Sequence, residues 1–269
     1  MTTKKISTFQ KIIWDFYNTN KRDFSWRQTN NPYYILLSEI MLQQTQTQRV
    51  IAKYIDFIEH FPTVNDFAAA SLAEVLTLWS GLGYNRRGKF LWETTKKITS
   101  EYNGIVPQTP EELEKLPGIG PYTARAICTF AFNQSHSFLE TNIRTVIIQF
   151  FLSDREKVSD KEILSLVEQT LPPENFRDWF YALMDYGNYL KSQKISHFDR
   201  QKHYKKQSKF KGSKRFVRGY ILKYLTKNEV MDIKSMEFPG YTRETVQEIV
   251  EGLIKENLVV RKKDLLCLP

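Results

Sequence analysis

The chain of 269 residues is 41% hydrophobic and 14% aromatic and carries a formal charge of +9, which excludes a chain too polar to bury a core and points to a polyanionic partner without specifying a fold. Its two cysteines, Cys128 and Cys267, are too few for a disulfide framework or a four-thiolate metal site, and they fit a reducing compartment. No segment has the apolar length of a signal peptide or a membrane span, so a soluble intracellular protein with no membrane partner is expected.

From Ile6 to about Leu190 the pattern is helical nearly throughout. Ile12, Ile13, Phe16 and Tyr17 form a first amphipathic stripe. Asn31-Pro32 opens a second helix, with Asn31 as N-cap and the proline at the first helical position. Val50 to His60 carries another stripe, closed by Phe61-Pro62. Asn65 or Asp66, and then Ser71, are expected to cap two short helices. Gly81 and Gly83 break the chain after Trp79, and a longer helix is expected from about Asn85 to Tyr102. The sequence lacks convincing runs of alternating strands, which argues against a parallel α/β sheet.

After Leu190 the composition shifts. Residues 191–215 hold ten basic side chains against Asp199 alone, with Phe198, Tyr204 and Phe210 interleaved. Such a run is a solvated linker in isolation and a phosphate-tracking strap beside a nucleic-acid-binding body. From Lys214 to Pro269, helices over Arg215–Leu225, Val230–Met236 and Thr242–Lys255 precede a hairpin of Leu258-Val259-Val260 and Leu265-Leu266-Cys267-Leu268. Three helices and a hairpin is the winged-helix order, with Thr242–Lys255 in the recognition position. Glu244, Glu248 and Glu251 make that helix a poor phosphate binder.

Three segments bear on chemistry. From Pro32 through Gln48 the one charged residue is Glu39, among Ile, Leu and Met. Burial there would raise its pKa and suit it to general-acid work, the alternative being a glutamate that reaches solvent or caps a neighbouring helix. Leu116-Pro117-Gly118-Ile119-Gly120-Pro121-Tyr122-Thr123-Ala124 lies between two helical patterns and reads as a helix-hairpin-helix turn. Its bare amides at a helix N-terminus grip a phosphate backbone without reading sequence. Phe138-Leu139-Glu140-Thr141-Asn142-Ile143-Arg144 puts a second carboxylate at the mouth of the next helix. Thr141 or Asn142 could simply cap that helix.

Together with Phe61-Pro62-Thr63-Val64 and Trp79-Ser80-Gly81-Leu82-Gly83-Tyr84, these strings resemble the helix-hairpin-helix DNA glycosylase superfamily from about Phe16 to Leu190. Within it they are most similar to the MutY-type adenine DNA glycosylases. The resemblance implies an all-α, two-lobed body with DNA held between the lobes. Residues 24–130 would form a six-helix lobe with the hairpin, and residues 1–23 with 131–190 the second lobe. A basic strap over 191–213 and a small winged-helix-like α+β domain over 214–269 would follow.

By the same resemblance Glu39 is the catalytic acid and Glu140 the second carboxylate, standing where the family has an aspartate. Tyr122 falls where bifunctional relatives carry a Schiff-base lysine, so a monofunctional enzyme is implied. Gln43, Gln44, Thr45, Leu82, Tyr84, Gly118, Gly120 and Thr123 match DNA-contacting positions, with Gln44, Leu82 and Tyr84 probing or wedging the base stack. Trp26, Arg27, Tyr181 and Asn142 match the base pocket. The iron–sulfur cysteines expected after Gly187 are replaced by Asn188-Tyr189-Leu190-Lys191 and the basic stretch, so no cofactor is expected. Nothing resembles the family's 8-oxoguanine-recognition domain.

The implied reaction flips a mispaired base out of the duplex and protonates it from Glu39; a carboxylate stabilises the oxocarbenium-like sugar. The implied partner is double-stranded DNA containing a mispair or damaged base. The protein would act as a monomer in the cytoplasm, nucleoid-associated if the source is prokaryotic. Adenine opposite guanine or 8-oxoguanine is the first expectation for the excised base, and thymine or uracil from G·T or G·U the second. A catalytically silent DNA-binding protein is the rival of another class.

Overall fold

The computed structural model describes residues 2–197, 210, 212–235 and 237–269. In chain order the described elements are α1 (Thr3–Asn20), a 3-10 turn (Ser25–Arg27), α2 (Pro32–Leu42), α3 (Thr47–His60), α4 (Val64–Ala69), α5 (Leu72–Trp79) and α6 (Arg86–Glu101). They continue with α7 (Pro110–Leu113), α8 (Pro121–Phe132), α9 (Thr141–Phe151), α10 (Asp160–Gln169), α11 (Phe176–Ser192) and α12 (Lys214–Leu225). The chain ends with β1 (Met231–Asp232), a 3-10 turn (Ile233–Ser235), α13 (Arg243–Lys255), β2 (Val260–Lys262) and β3 (Leu265–Cys267). The all-α body with a small α+β tail is thus the fold that the sequence pattern predicts. Among the described residues no helix is long and apolar enough to cross a membrane.

Helix starts follow local side-chain chemistry. The Asn31 side chain accepts from the amides of Tyr33 at 3.0 Å and Tyr34 at 3.5 Å, which fixes the start of α2. Ser71 and Glu74 form a reciprocal capping box on α5. On α4 the cap is Thr63, not the expected Asn65 or Asp66. The Thr63 hydroxyl reaches the Asp66 amide while the Asp66 carboxylate returns to the Thr63 amide, so Asp66 is the third helical residue of the box.

The chain divides into two compact units. One takes in the described residues through Ile35, Gln108–Glu114 and Ile119 onward through α11. Its core joins Phe9 and Ile13 of α1, Phe130 of α8, Ile143 and Ile147 of α9, and Trp179 and Phe180 of α11. Gly187 lets α11 press against the start of α9: a Cβ there would sit 2.4 Å from the Asn142 carbonyl oxygen.

The other unit takes in Leu36–Pro107, Lys115–Gly118 and the C-terminal segment containing α12 and α13. In it the tail packs onto α5 and α6 rather than standing apart. Leu72 and Leu76 of α5 share a core with Val217, Ile221 and Leu225 of α12 and Ile249 and Leu253 of α13, with Trp92 of α6 against it. Polar contacts border this core: Lys89 donates to the Glu256 carbonyl at 2.6 Å, and the Glu256 carboxylate lies 2.6 Å from Arg218 and 3.7 Å from Arg86.

Within the tail, the short helix expected over Val230–Met236 is instead β1 and a 3-10 turn. Met231 pairs with Leu266 in an antiparallel three-stranded sheet ordered β1-β3-β2, and the Asp232 side chain accepts from the Lys234 amide at 2.9 Å to turn the chain out of the strand. The expected basic strap falls mainly on residues 198–209 and 211, which lie outside the described residues.

Candidate active site

Glu39 is the one charged residue of α2 and is 7% exposed, with Leu36, Leu37, Ile40 and Met41 around it in sequence all buried. The sequence pattern that sets it apart therefore corresponds to real burial. The chain leaves α2 through Gln43, Gln44 and Thr45; Gln44 is exposed and takes a left-handed φ of 51°.

Arg87, on α6, organises this turn. Its guanidinium donates to the carbonyls of Ile40 at 2.8 Å and Met41 at 3.0 Å, the last-turn acceptors that an α-helix leaves without backbone partners. It also donates to the Thr45 hydroxyl at 2.8 Å and to the Gly83 carbonyl at 3.2 Å. One cation thus closes the negative end of the Glu39 helix and ties it to the Gly81–Tyr84 loop. Burial pushes the Arg87 pKa down to about 10, which leaves it charged at neutral pH. The same loop is braced by the Trp79 indole N–H, which donates to the Gly83 carbonyl at 3.0 Å. Of the three side chains expected to probe a base stack, Gln44 and Tyr84 are exposed, Tyr84 at 40% with a left-handed φ of 47°, whereas Leu82 is 3% exposed and packed inward.

The hairpin turn depends on its first glycine twice over. Gly118 has φ +75°, and a Cβ there would meet the Phe90 Cβ at 2.8 Å. Thr94 of α6 donates to the Pro117 carbonyl at 2.8 Å and fixes the approach. Gly120 precedes α8 with Pro121 at the first helical position, and a Cβ built on it meets nothing within 4 Å among the described residues. Space therefore lies open beside the positive end of α8. The Thr123 side chain is buried, so a phosphate would meet the first-turn backbone there rather than that hydroxyl.

In the other unit Glu140 is itself the N-cap of α9, in place of the expected Thr141 or Asn142. Its longer side chain folds back so that one carboxylate oxygen accepts from the Asn142 amide at 2.7 Å and the other lies 3.3 Å from the Asn142 Nδ2. Among the described residues the buried Asn142 Oδ1 has no hydrogen-bond partner. Burial lowers the Lys191 pKa, with the Glu140 charge opposing that shift. Tyr122 packs edge-on to Phe138 at 5.6 Å.

Arg27 and Tyr181 meet directly, with the guanidinium 4.3 Å from the ring centroid, and Tyr181 stacks on Phe130 at 4.4 Å. Trp26 stacks on Phe24 at 4.8 Å. Arg27 is aimed by Asp185, whose carboxylate it engages through two bonds of 2.8 and 2.9 Å. Arg22 adds a 2.6 Å side-chain bond and a 2.9 Å amide bond to the same group. Burial pushes the Asp185 pKa up, but the Arg27 bonds and charge, then Arg22, outweigh it and hold the carboxyl below the ordinary carboxylate range.

Asp185 and Arg87 are the organising residues that sequence reasoning missed. Asp185 had a signal of the same kind as Glu39, since it is the one charge between Trp179 and Leu190. Arg87, beside Arg86, had none. An iron–sulfur cluster does not fit the residues present. Thiolate ligation takes about four cysteines; of the two here, Cys128 is buried in α8 with its thiol pushed up to about 11 by burial, and Cys267 lies on β3.

Comparison with known proteins identifies the family of this chain. A family described as the HhH-GPD superfamily base excision DNA repair protein matches residues 37–173. That span holds Glu39, the hairpin turn and Glu140. The adenine DNA glycosylase of Buchnera aphidicola subsp. Baizongia pistaciae is 36% identical over 180 residues, covering 66% of this chain and 51% of that protein. The adenine DNA glycosylase of Mycolicibacterium smegmatis is 40% identical over 184 residues, covering 68% of this chain and 62% of that one. The chain thus spans about half to three-fifths of these relatives' length. A solved thermostable thymine-DNA glycosylase aligns with a TM-score of 0.65 at 28% identity, over 73% of this chain and 92% of that one. With the match running through half of its length, the chain belongs to the HhH-GPD superfamily of base excision DNA repair proteins.

Proposed function

We propose that the chain is a monofunctional DNA glycosylase that removes adenine mispaired with guanine or 8-oxoguanine in double-stranded DNA. The observation that carries this reading is Glu39, a buried carboxyl and the one charged residue of an apolar helix within the family-matched segment. The relatives named adenine DNA glycosylases support adenine as the leaving base.

In this reading the target base is flipped from the duplex and Glu39 gives its proton to a purine ring nitrogen. The C1′–N bond breaks and its electron pair leaves with the neutral base. Glu140 stabilises the positive sugar, water adds to C1′, and its proton is released. Tyr122 offers no amine for a Schiff base, so the backbone is left uncut. No iron–sulfur cluster takes part, because the sequence holds two cysteines where a cluster needs about four. Arg27 and Tyr181 line the base pocket, and Tyr84 with Gln44 probes the stack.

Duplexes carrying A·G, A·8-oxoguanine, G·T or G·U, treated with the protein and then with alkali, test the reading. Cleavage at adenine is expected, with Glu39→Gln slowing single-turnover excision at least about 100-fold, the low end of general-acid contributions, while mispair binding persists. Near wild-type excision by that variant removes Glu39 from the mechanism. Thymine or uracil removal is the second reading, supported by the likeness to the thymine-DNA glycosylase structure. Cleavage at G·T or G·U alone would favour it. No excision from any duplex, with binding intact, would leave a silent DNA-binding protein.

A further inference from the structure

The tail's first helix reaches into the loop that carries Tyr84. Arg215, in the first turn of α12, donates to the Tyr84 hydroxyl at 3.1 Å. At its other end the Tyr84 ring lies 5.6 Å from the Arg87 guanidinium, which is itself bonded to the last carbonyls of the Glu39 helix. Tyr84 is therefore held at both ends, although its ring is exposed and its backbone occupies a left-handed region that non-glycine residues rarely adopt. Strain of that kind persists where surrounding contacts over-determine it.

Helix formation gives no reason for Arg215. The first turn of α12 carries Lys214 and Arg215 and no acid, which opposes the helix dipole. Glu248 offsets Lys214 at 2.6 Å, and the Arg215 guanidinium reaches the Tyr84 hydroxyl. The packing of α12 and α13 onto Leu72 and Leu76 fixes where that guanidinium sits.

We propose that Arg215 is a positioning residue for Tyr84, so that the C-terminal segment sets how well the protein tells a mispaired duplex from a paired one. The proposal rests on the reading of this chain as a DNA glycosylase that probes the base stack with Tyr84. α13 has no part in it, since Glu244, Glu248 and Glu251 line that helix.

The test measures affinity of the full-length protein for a duplex with one A·G mispair and for its fully paired counterpart at one salt concentration. A 2-aminopurine beside the mispair reports unstacking. Arg215→Ala should lower the ratio of the two affinities about three- to tenfold, the range for one exposed hydrogen bond, and dim the unstacking signal. Arg215→Lys should recover part of both. Tyr84→Phe should lower the ratio alike, and the double variant Arg215→Ala with Tyr84→Phe should be no worse than either single one. Thermal melting of each variant confirms folding, and Tyr84→Phe, which keeps the ring, carries the test if Arg215→Ala melts early.

An equal loss for both duplexes would make Arg215 a plain phosphate contact and overturn the proposal. So would an unchanged ratio, or effects that add in the double variant. A wild-type protein that neither discriminates nor excises would sink the glycosylase reading itself. A discriminating wild type with an indifferent Arg215→Ala would sink this proposal alone.

Discussion

Asp185, 2% exposed, accepts from two arginines more than 150 positions earlier in the chain and orients the one that covers Tyr181. Its folded pKa lies below the ordinary carboxylate value, so its contribution to stability is complete above the unfolded pKa of about 4 and is lost as pH falls below it. Asp185→Asn would leave Arg22 and Arg27 without their shared counter-charge, and about 3–5 kcal/mol of stability should go with it at neutral pH. Urea denaturation at pH 7 and at falling pH checks this. The gap between wild type and variant should narrow below about pH 4, and a gap that widens in acid would refute the assignment. Glu39 was legible because one carboxyl in an apolar helix is visible along the chain. Asp185 carried the same mark, but its partners come from distant positions, which no local pattern encodes. Glu140 was legible as a helix-mouth carboxylate; that it caps the helix with its own side chain was not, because glutamate is not a preferred cap and only its fold-back to Asn142 makes it one.

The hairpin turn separates structural from functional demands on two glycines two residues apart. Gly118→Ala places a side chain at φ +75° and against Phe90, so it should cost at least about 1–2 kcal/mol from the left-handed backbone alone and lower the melting temperature. Gly120→Ala meets open space at an ordinary φ of −99° and should cost under about 1 kcal/mol, the difference between glycine and alanine at an N-cap. If a phosphate approaches α8 there, Gly120→Ala should weaken binding to paired and mispaired duplexes alike while melting stays close to wild type. Unchanged DNA affinity in a folded Gly120→Ala variant would move the backbone grip elsewhere. Helix positions were largely readable at this scale because caps and apolar stripes are local. The tail's missing helix was not, since Met231 and Asp232 become a strand only by pairing with Leu266 and Leu265 from the far end of the segment.

At the scale of the molecule, the order of the tail elements could be read from sequence, but its seat could not. α5 is apolar over most of its surface, with Leu72, Val75, Leu76 and Trp79 all buried, so periodicity alone does not tell which face serves the neighbouring helices and which receives α12 and α13. Charge is legible without any fold, and the densest positive stretch joins the α11 end to the α12 start. If that stretch clamps DNA, its cations must release counterions when the duplex binds. Changing Lys202, Lys205, Lys206 and Lys209 together to Ala should then flatten the slope of log affinity against log salt by up to about four units, roughly 0.9 per lost phosphate contact. Mispair preference should survive, because phosphate contacts position a protein without specifying bases. A solvated linker predicts a smaller change that follows only from the lower net charge. An unchanged slope in the folded quadruple variant would rule the clamp out and leave the α8 hairpin and the Tyr84 loop to hold the backbone.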